Sequence, residues 1–541
     1  MDRRAALESL QSGNTFDLLI IGGGATGCGV ALDAISRGLK VALIERNDFA
    51  EGTSSRSTKL VHGGVRYLEL AIKKLDRVQY NLVKDGLHER GLFLKNAPHL
   101  ADRLPLISPL YNWIDIPYVY AGLRLYDILA GKLGLGRSRL LSRKEALRRF
   151  PMLKADGLKA GVLYYDGQFN DARMAVTLAI TASEQGAAIA TRVEAVGLNV
   201  ENGRLCGAMV EDRESGKRWE IKAKGVINAG GPFADSLRRM ADTQAAPILT
   251  ASSGIHIVLD KRFAPADTGL MIPKTEDGRV LFVLPWQGHA LIGTTDEPAE
   301  IEAHPRPKAE EIAYLLRHVR QYFNLDVSEA DVLSVWSGLR PLVSDPKAAD
   351  TARLARDHII EMGTTGLLTI CGGKWTTYRK MAEHTVDHAI SEFGLLPKCG
   401  CRTTTLPLAG AKGFDRDNGA AELIRTFNLD RDVAQHLNHA YGDRARHVMT
   451  YASPDGTGGA ARLHPNHPYL EAEVIYAARH EAARSAMDVL ARRLPLALLD
   501  RAAAQDCAAR VITLMAAELG WDQTRLLSES IQVAERLTQA I

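Results

Sequence analysis

Gly22-Gly23-Gly24-Ala25-Thr26-Gly27 is a G-x-G-x-x-G run whose residue types suit a diphosphate. Gly22 allows a tight turn, Gly24 lets the backbone approach phosphate oxygens, and Gly27 lets a helix pack closely on a strand. Ala25 and Thr26 open that helix, and its unpaired N–H groups and positive end face the anion. Glu45 follows 18 residues after Gly27, where a carboxylate bonds a ribose hydroxyl. The glycines alone would also suit an ordinary turn. Strand, glycines, helix, strand and acid in this order point to a dinucleotide.

Three further stretches suit a long ligand of the same kind. Thr53, Ser54 and Ser57 lie in the small, hydroxyl-rich segment Gly52 to Leu60. Asn228-Ala229-Gly230-Gly231 and Gly372-Gly373-Lys374 are glycine-rich strand ends, the second opening an amphipathic helix. Positive helix ends stabilise an anionic ring system. Each glycine pair is also what a plain strand-to-helix turn requires. Together they fit one cofactor stretched across a sheet.

The elements that must position these residues are legible in outline. Asp17 to Ile21, Ala25 to Arg37 and Lys40 to Ile44 read as strand, helix and strand, a βαβ unit with a parallel sheet. Asn202-Gly203 and Ser215-Gly216 split a β-meander that ends in the buried strand Gly225 to Ala229. Ile255 to Asp296 is strand-rich, and Ala309 to Phe323 is an amphipathic helix. From Tyr378 to Phe393 apolar residues recur at 3,4,3,4 spacing, giving one buried stripe. Past Pro397 strand signals stop, and Val474 to Arg493, Asp500 to Leu519 and Gln523 to Ala540 read as helices.

Composition bounds the function. A chain of 541 residues needs two or three domains. A net charge of +3 gives no case for nucleic acid as a partner. Six scattered cysteines, with no Cys-x-x-Cys, fit reduced thiols in a cytosolic compartment and make no case for a metal site. Met1 to Gly13 has no signal-peptide pattern, and no apolar run is long enough to span a bilayer. Leu110 to Leu135 is rich in tyrosine, tryptophan and aliphatic residues and is followed by six arginines and lysines up to Arg149. Such a stretch suits a bilayer interface; a core helix followed by a solvated basic helix is the competing reading.

At this point the chain resembles a family. Asp17 to Gly27, then Gly52-Thr53-Ser54-Ser55-Arg56-Ser57-Thr58-Lys59-Leu60-Val61-His62-Gly63-Gly64-Val65-Arg66-Tyr67-Leu68, are similar to the FAD-dependent, quinone-linked glycerol-3-phosphate dehydrogenases. So are Trp336-Ser337-Gly338-Leu339-Arg340-Pro341-Leu342 and Gly372-Gly373-Lys374-Trp375-Thr376-Thr377-Tyr378-Arg379. Tyr164 to Gln168 and Asn170 to Met174 make the likeness closest to the mitochondrial type. A targeting extension and EF-hand loops are absent from this sequence, so calcium control is not expected.

The resemblance implies an α/β fold. A Rossmann-like FAD-binding domain is assembled from 16–60, 165–245 and 355–395. An α+β substrate domain with an antiparallel sheet is inserted as 61–164 and 246–354, and an all-helical domain covers 396–541. FAD would contact Gly22, Gly24, Ala25, Thr26, Gly27, Glu45, Thr53, Ser54, Ser57, Lys59, Leu60, His62, Gly63, Gly64, Val193, Ala229, Gly230, Gly338, Gly373, Lys374, Trp375 and Thr376. The substrate phosphate would meet Arg66, Tyr67, Arg356 and Lys374, since guanidinium forks and ammonium groups suit phosphate oxygens.

His256 and Arg340 would stand near the glycerol carbons. The implied reaction moves hydride from C2 to the flavin while the C2 hydroxyl loses its proton. His256 suits the base by its intrinsic pKa, Arg340 suits a developing alkoxide, and His62 stays open as an alternative base. By itself His256 also reads as a satisfied histidine in a core strand. The expected partners are glycerol 3-phosphate, ubiquinone or menaquinone, a membrane surface and a second copy of the chain. The expected place is the cytoplasmic face of a bacterial inner membrane, peripherally bound. An oxygen-using glycerol-3-phosphate oxidase and an amine or amino-acid oxidase of the same flavin fold are the competing readings.

Overall fold

The computed structural model describes residues 1–65, 67–68, 76–272, 275, 278–343, 358–452 and 460–539. Thr15–Ile21 (β1) is nearly all apolar, and Leu18, Leu19 and Ile20 are fully buried. A strand covered on both faces reads as such a continuous run. β1 leads through the glycines into helix Ala25–Ser36 (α1) and on to Val41–Glu45 (β2), which pairs with β1 in parallel.

Strand Arg218–Asn228 lies parallel to β1 on the other side, with Leu367–Gly372 beyond it. Ala188–Thr191 extends the sheet past β2. The Asn202-Gly203 turn joins Val193–Glu201 to Arg204–Asp212, the meander that feeds Arg218–Asn228. Asn202 and Gly203 both have positive φ, as the tight hairpin turn requires.

A second, largely antiparallel sheet contains, among the described residues, Leu249–Asp260 (β3), Val332–Val343 (β4), Ala101–Leu110, Ala160–Phe169 and six shorter strands. Its strand Ala160–Phe169 runs five residues past the expected limit at 164. Alternation along β3 decides the layering. Ile255 and Ile257 pack toward helix Ala309–Tyr322 through Leu315, Leu316 and Val319. Val258, on the opposite face with His256, joins Trp336 of β4 and the C-terminal residues Leu496 to Leu499. Asp115–Ala130 (α2) lies on the outside of this region. Helix Tyr378–Phe393 (α3) returns to the first sheet and packs on α1.

The C-terminal part is helical, but Val474 to Arg493 is not one helix. The helix Glu471–His480 stops, Ala482 takes φ of 54°, and helical turns resume at Ala486. Buried ion pairs outweigh helix propensity here. Glu481 accepts Arg173 Nη1 at 2.6 Å, and Arg492 and Arg493 turn inward to Asp48 at 2.5 and 2.8 Å. A straight helix cannot present those charges to the first sheet's loops. Leaving any of them unpaired would cost about 3–5 kcal/mol.

Candidate active site

The end of β1 forms a cradle because no side chain fits there. Gly22 has φ of +119°, and a Cβ would lie 2.5 Å from Ala229 O. At Gly27 a Cβ would lie 1.8 Å from Gly22 O, so helix and strand meet at backbone distance. Gly24, just before α1, offers no side-chain cap; Ser54 Oγ takes the Ala25 N–H, which leaves the N–H groups of Thr26 and Gly27 for a ligand. Glu45 ends β2, its Oε2 accepting Gly23 N–H at 2.7 Å and its Oε1 accepting Asn47 N–H at 2.8 Å. Burial pushes its carboxyl above the usual range, partly offset by those two donors.

Gly22, Gly24, Ala25 and Glu45 line a cavity of about 300 Å³ together with Thr26, Thr53, Ser54, Val193, Ala229 and Gly230, while Gly27 stands behind its wall. Ala25 N–H donates to Ser54 Oγ, which fastens the hydroxyl-rich segment to α1. Thr53, Pro341, Gly373, Lys374 and Trp375 also border a second cavity of about 370 Å³. The two therefore adjoin along one seam. Trp375 Nε1–H donates to Ser54 O across it at 2.9 Å.

The second cavity brings together Ser57, Leu60, His62, Gly64, Tyr67, His256, Gly338, Arg340, Lys374 and Thr376 from four separate stretches of chain. Lys374 Nζ sits 4.0 Å above the Tyr67 ring. Thr376 Oγ1 accepts His62 N–H and ties the two segments together. Arg340 is held as a fork. Nη1 donates to Asp296 Oδ1 (3.0 Å) and Ser253 O (3.2 Å), and Nη2 donates to Thr294 Oγ1 (3.0 Å) and Thr295 O (2.9 Å). The β3–β4 register places Arg340 opposite Ser252 and Trp336 opposite His256.

His256 is buried, with its ring stacked on Trp336 at 4.2 Å and its Nε2 3.0 Å from Thr58 Oγ1. Burial, with the charges of Lys59 and Arg340, holds its pKa well below the usual histidine value. It is therefore neutral at neutral pH. Among the described residues its buried Nδ1 has no hydrogen-bond partner.

Other expected residues stand elsewhere. Lys59 is fully buried behind the wall, its ammonium on Asp171 at 2.7 Å and on Ser55 O. Gly63 is also behind it, its N–H donating to Tyr126 Oη at 2.7 Å. Arg66 and Arg356 lie outside the described residues.

Sequence reasoning missed several wall residues. Arg56, inside the recognised motif, is pushed down to about 10 by burial and then by Arg536. Thr58 is in the same motif. Asp166 lies in the Tyr164 to Gln168 stretch that resembles the mitochondrial type, whereas Arg279 and Asp296 carried no local signal. Asp166 is buried, accepts Arg90 Nη1 at 2.6 Å and Tyr126 Oη–H at 2.9 Å, and is pushed up to about 6 by burial.

Against known proteins, residues 17–379 match the family described as FAD dependent oxidoreductase, and 401–526 match the C-terminal domain of alpha-glycerophosphate oxidase. The chain is 50% identical over 526 residues to the probable mitochondrial glycerol-3-phosphate dehydrogenase of Caenorhabditis elegans, covering 96% of this chain and 73% of the relative. It is 47% identical to the mitochondrial glycerol-3-phosphate dehydrogenase of Mus musculus, covering 99% and 74%. The chain belongs to the FAD-dependent glycerol-3-phosphate dehydrogenase family.

A glycerol-3-phosphate dehydrogenase from Bacillus halodurans, solved with FAD, superposes with a TM-score of 0.81 at 28% identity, covering 99% of this chain and 97% of that one. The L-alpha-glycerophosphate oxidase of Mycoplasma pneumoniae shares the fold, with a TM-score of 0.56 at 18% identity. The dehydrogenase's own cavities fit FAD. An uncapped helix start suits the diphosphate, the Glu45 carboxylate suits a ribose, and the seam at Thr53 and Trp375 admits a ligand extending from the first cavity into the second.

Proposed function

We propose that the enzyme oxidises sn-glycerol 3-phosphate to dihydroxyacetone phosphate and passes the electrons to a membrane quinone, ubiquinone or menaquinone. One observation carries the substrate reading: Lys374 and Tyr67 share a cavity with Arg340 and His256, next to the dinucleotide cradle. Bound FAD supplies the two-electron acceptor. Lys374 and Tyr67 hold the phosphate, with Arg66 and Arg356 as further cations carried over from the family. Arg340, fixed by its fork, places positive charge where the C2 oxygen becomes anionic.

Neutral His256 accepts the C2 hydroxyl proton, and Thr58 orients its ring. The charges of Lys59 and Arg340 oppose that protonation. The phosphate dianion entering the same cavity counters them. Flavin contacts extend along Ser57, Leu60, His62, Gly64, Gly338 and Thr376. The sheets support 16–60 and 170–245 with 358–395 as the FAD domain, and the second sheet with its helices as the substrate domain.

Among the described residues no helix is long and apolar enough to cross a membrane, which suits peripheral attachment. With a membrane quinone as its acceptor, the enzyme would bind peripherally at the cytoplasmic face of a bacterial inner membrane. The match of 401–526 to an oxidase domain favours oxygen as the second reading of the acceptor. Anaerobic glycerol 3-phosphate should bleach the yellow holoenzyme, and glycerol should not. Reoxidation by a quinone analogue faster than by air supports the dehydrogenase, the reverse supports the oxidase, and no bleaching refutes both.

A further inference from the structure

The α2 helix carries two apolar faces, and only one is covered. Tyr126 and Ala130 are buried against Leu68, Val83 and Leu87, and Leu123 is buried in the core that includes Val258 and Trp336. Ile114, Tyr118, Ala121 and Ile128 share the opposite side, while Leu125 between them is half-buried against the inner cluster. Ile114 is 85% exposed, Ile128 68% and Tyr118 49%, and Trp113 just before them is 69% exposed. Single exposed apolar residues are normal, but several on one side of a helix with a tryptophan at its end mark a surface that something covers. The competing reading of this segment as a core helix therefore fails on its outer side.

Charge says what covers it. Residues 111–149 contain eight arginines and lysines against three acids. Lys132, Arg137, Arg139, Arg143, Lys144 and Arg148 are exposed. All three acids are engaged within the segment: Asp115 accepts Asn112 Nδ2–H at 3.1 Å, Asp127 accepts the Ser138 N–H and hydroxyl, and Glu145 lies 3.4 Å from Arg139. Apolar and aromatic residues on one side with a basic flank suit the headgroup region of an anionic leaflet.

The inner side of the same helix reaches the reaction cavity. Tyr126 Oη accepts Gly63 N–H and donates to Asp166, which lines that cavity. A surface lying on the outer stripe is then about 10 Å, one helix diameter, from the cavity wall.

We propose that the outer stripe of α2 and the basic stretch after it dock the enzyme on an anionic phospholipid bilayer, within one helix thickness of the reaction cavity. The proposal rests on the membrane reading above and assigns it a face.

The test is co-sedimentation of holoenzyme with vesicles of phosphatidylcholine, alone or with phosphatidylglycerol. Wild type should bind the anionic vesicles, and bind them less in high salt. Each basic residue near such a leaflet contributes a factor of about five in partitioning. Lys132→Glu/Arg137→Glu/Lys144→Glu should therefore weaken binding by about a hundredfold or more, and Trp113→Glu/Ile114→Glu should also abolish it. Turnover with a water-soluble acceptor dye should be unchanged in both variants, which also reports that they fold.

Wild type that ignores anionic vesicles, or variants that bind like wild type, would overturn the proposal. So would a wild-type dimer that Trp113→Glu/Ile114→Glu splits without any vesicle binding, since a second copy then covers the stripe. Absence of dye turnover with glycerol 3-phosphate in wild type would instead overturn the substrate reading and leave the vesicle result to decide docking.

Discussion

Replacing Arg340 by lysine keeps the charge and removes the fork. In the native enzyme Nη1 engages Asp296 and Ser253 at 3.0 and 3.2 Å and, more loosely, Ser252 Oγ at 3.4 Å, and Nη2 engages Thr294 and Thr295 at 3.0 and 2.9 Å. One ammonium cannot span both sets, so at least two bonds are lost and the charge is no longer fixed in place. Hydrogen bonds to charged groups contribute about 1.5–3 kcal/mol each. If one bond's worth of positioning reaches the transition state, flavin reduction slows about tenfold; if two do, about a hundredfold or more.

The strand itself should survive, because β4 is paired to β3 along its backbone from Val343 to Val332. The assay is anaerobic stopped-flow bleaching at saturating glycerol 3-phosphate, with the flavin-to-protein absorbance ratio and melting temperature measured alongside. Arg340→Lys should keep full flavin and a melting temperature near wild type while bleaching at least tenfold more slowly. A rate within twofold of wild type would refute the placement of Arg340 at the reacting carbons. Asp296→Asn, which weakens only one arm of the fork, should give a smaller loss in the same direction.

Gly27→Val puts carbon where Gly22 O already stands 1.8 Å from an ideal Cβ, so the purified variant should lack the flavin absorbance of wild type. Lys374→Ala removes a cation from the proposed phosphate site and should raise KM for glycerol 3-phosphate about tenfold or more; an unchanged KM would move the phosphate elsewhere. Asp166 is pushed up to about 6 by burial, above the ordinary value of about 3.9. The folded protein then binds more protons than the unfolded chain between about pH 4 and 6, so this group's stabilising contribution falls as pH rises through that window. Asp166→Asn should flatten the melting temperature against pH there, and an unchanged slope would show that Asp166 titrates normally.

The dinucleotide cradle was legible because its requirements are local. A turn that only glycine can make, a helix start and an acid at the next strand's end are written within about 30 residues. The expected strand, helix and strand appear as Thr15–Ile21, Ala25–Ser36 and Val41–Glu45. The Asn202-Gly203 turn and helix Tyr378–Phe393 followed for the same reason, since turn chemistry and a 3.6-residue stripe need no distant partner.

What the tertiary structure decided involves charges and faces whose partners are far along the chain. Nothing within Val474 to Arg493 announces a break, because the break serves Asp48 and Arg173, hundreds of residues upstream. Lys59 looked like a cofactor ligand by its place in a motif, but Asp171 and two indole rings hold it behind the cavity wall. Asp166 and Asp296 join the wall only because the second sheet carries them there.

The α2 helix shows the limit most directly. Its tyrosines, leucines and isoleucines read the same whether they meet a protein core or solvent, since hydrophobicity fixes that a face seeks cover but not which cover it finds. Periodicity encodes the helix. Only the packing of Leu123 and Tyr126 inward, and the exposure of Ile114 and Ile128 outward, separates the face that builds the fold from the face left for a partner.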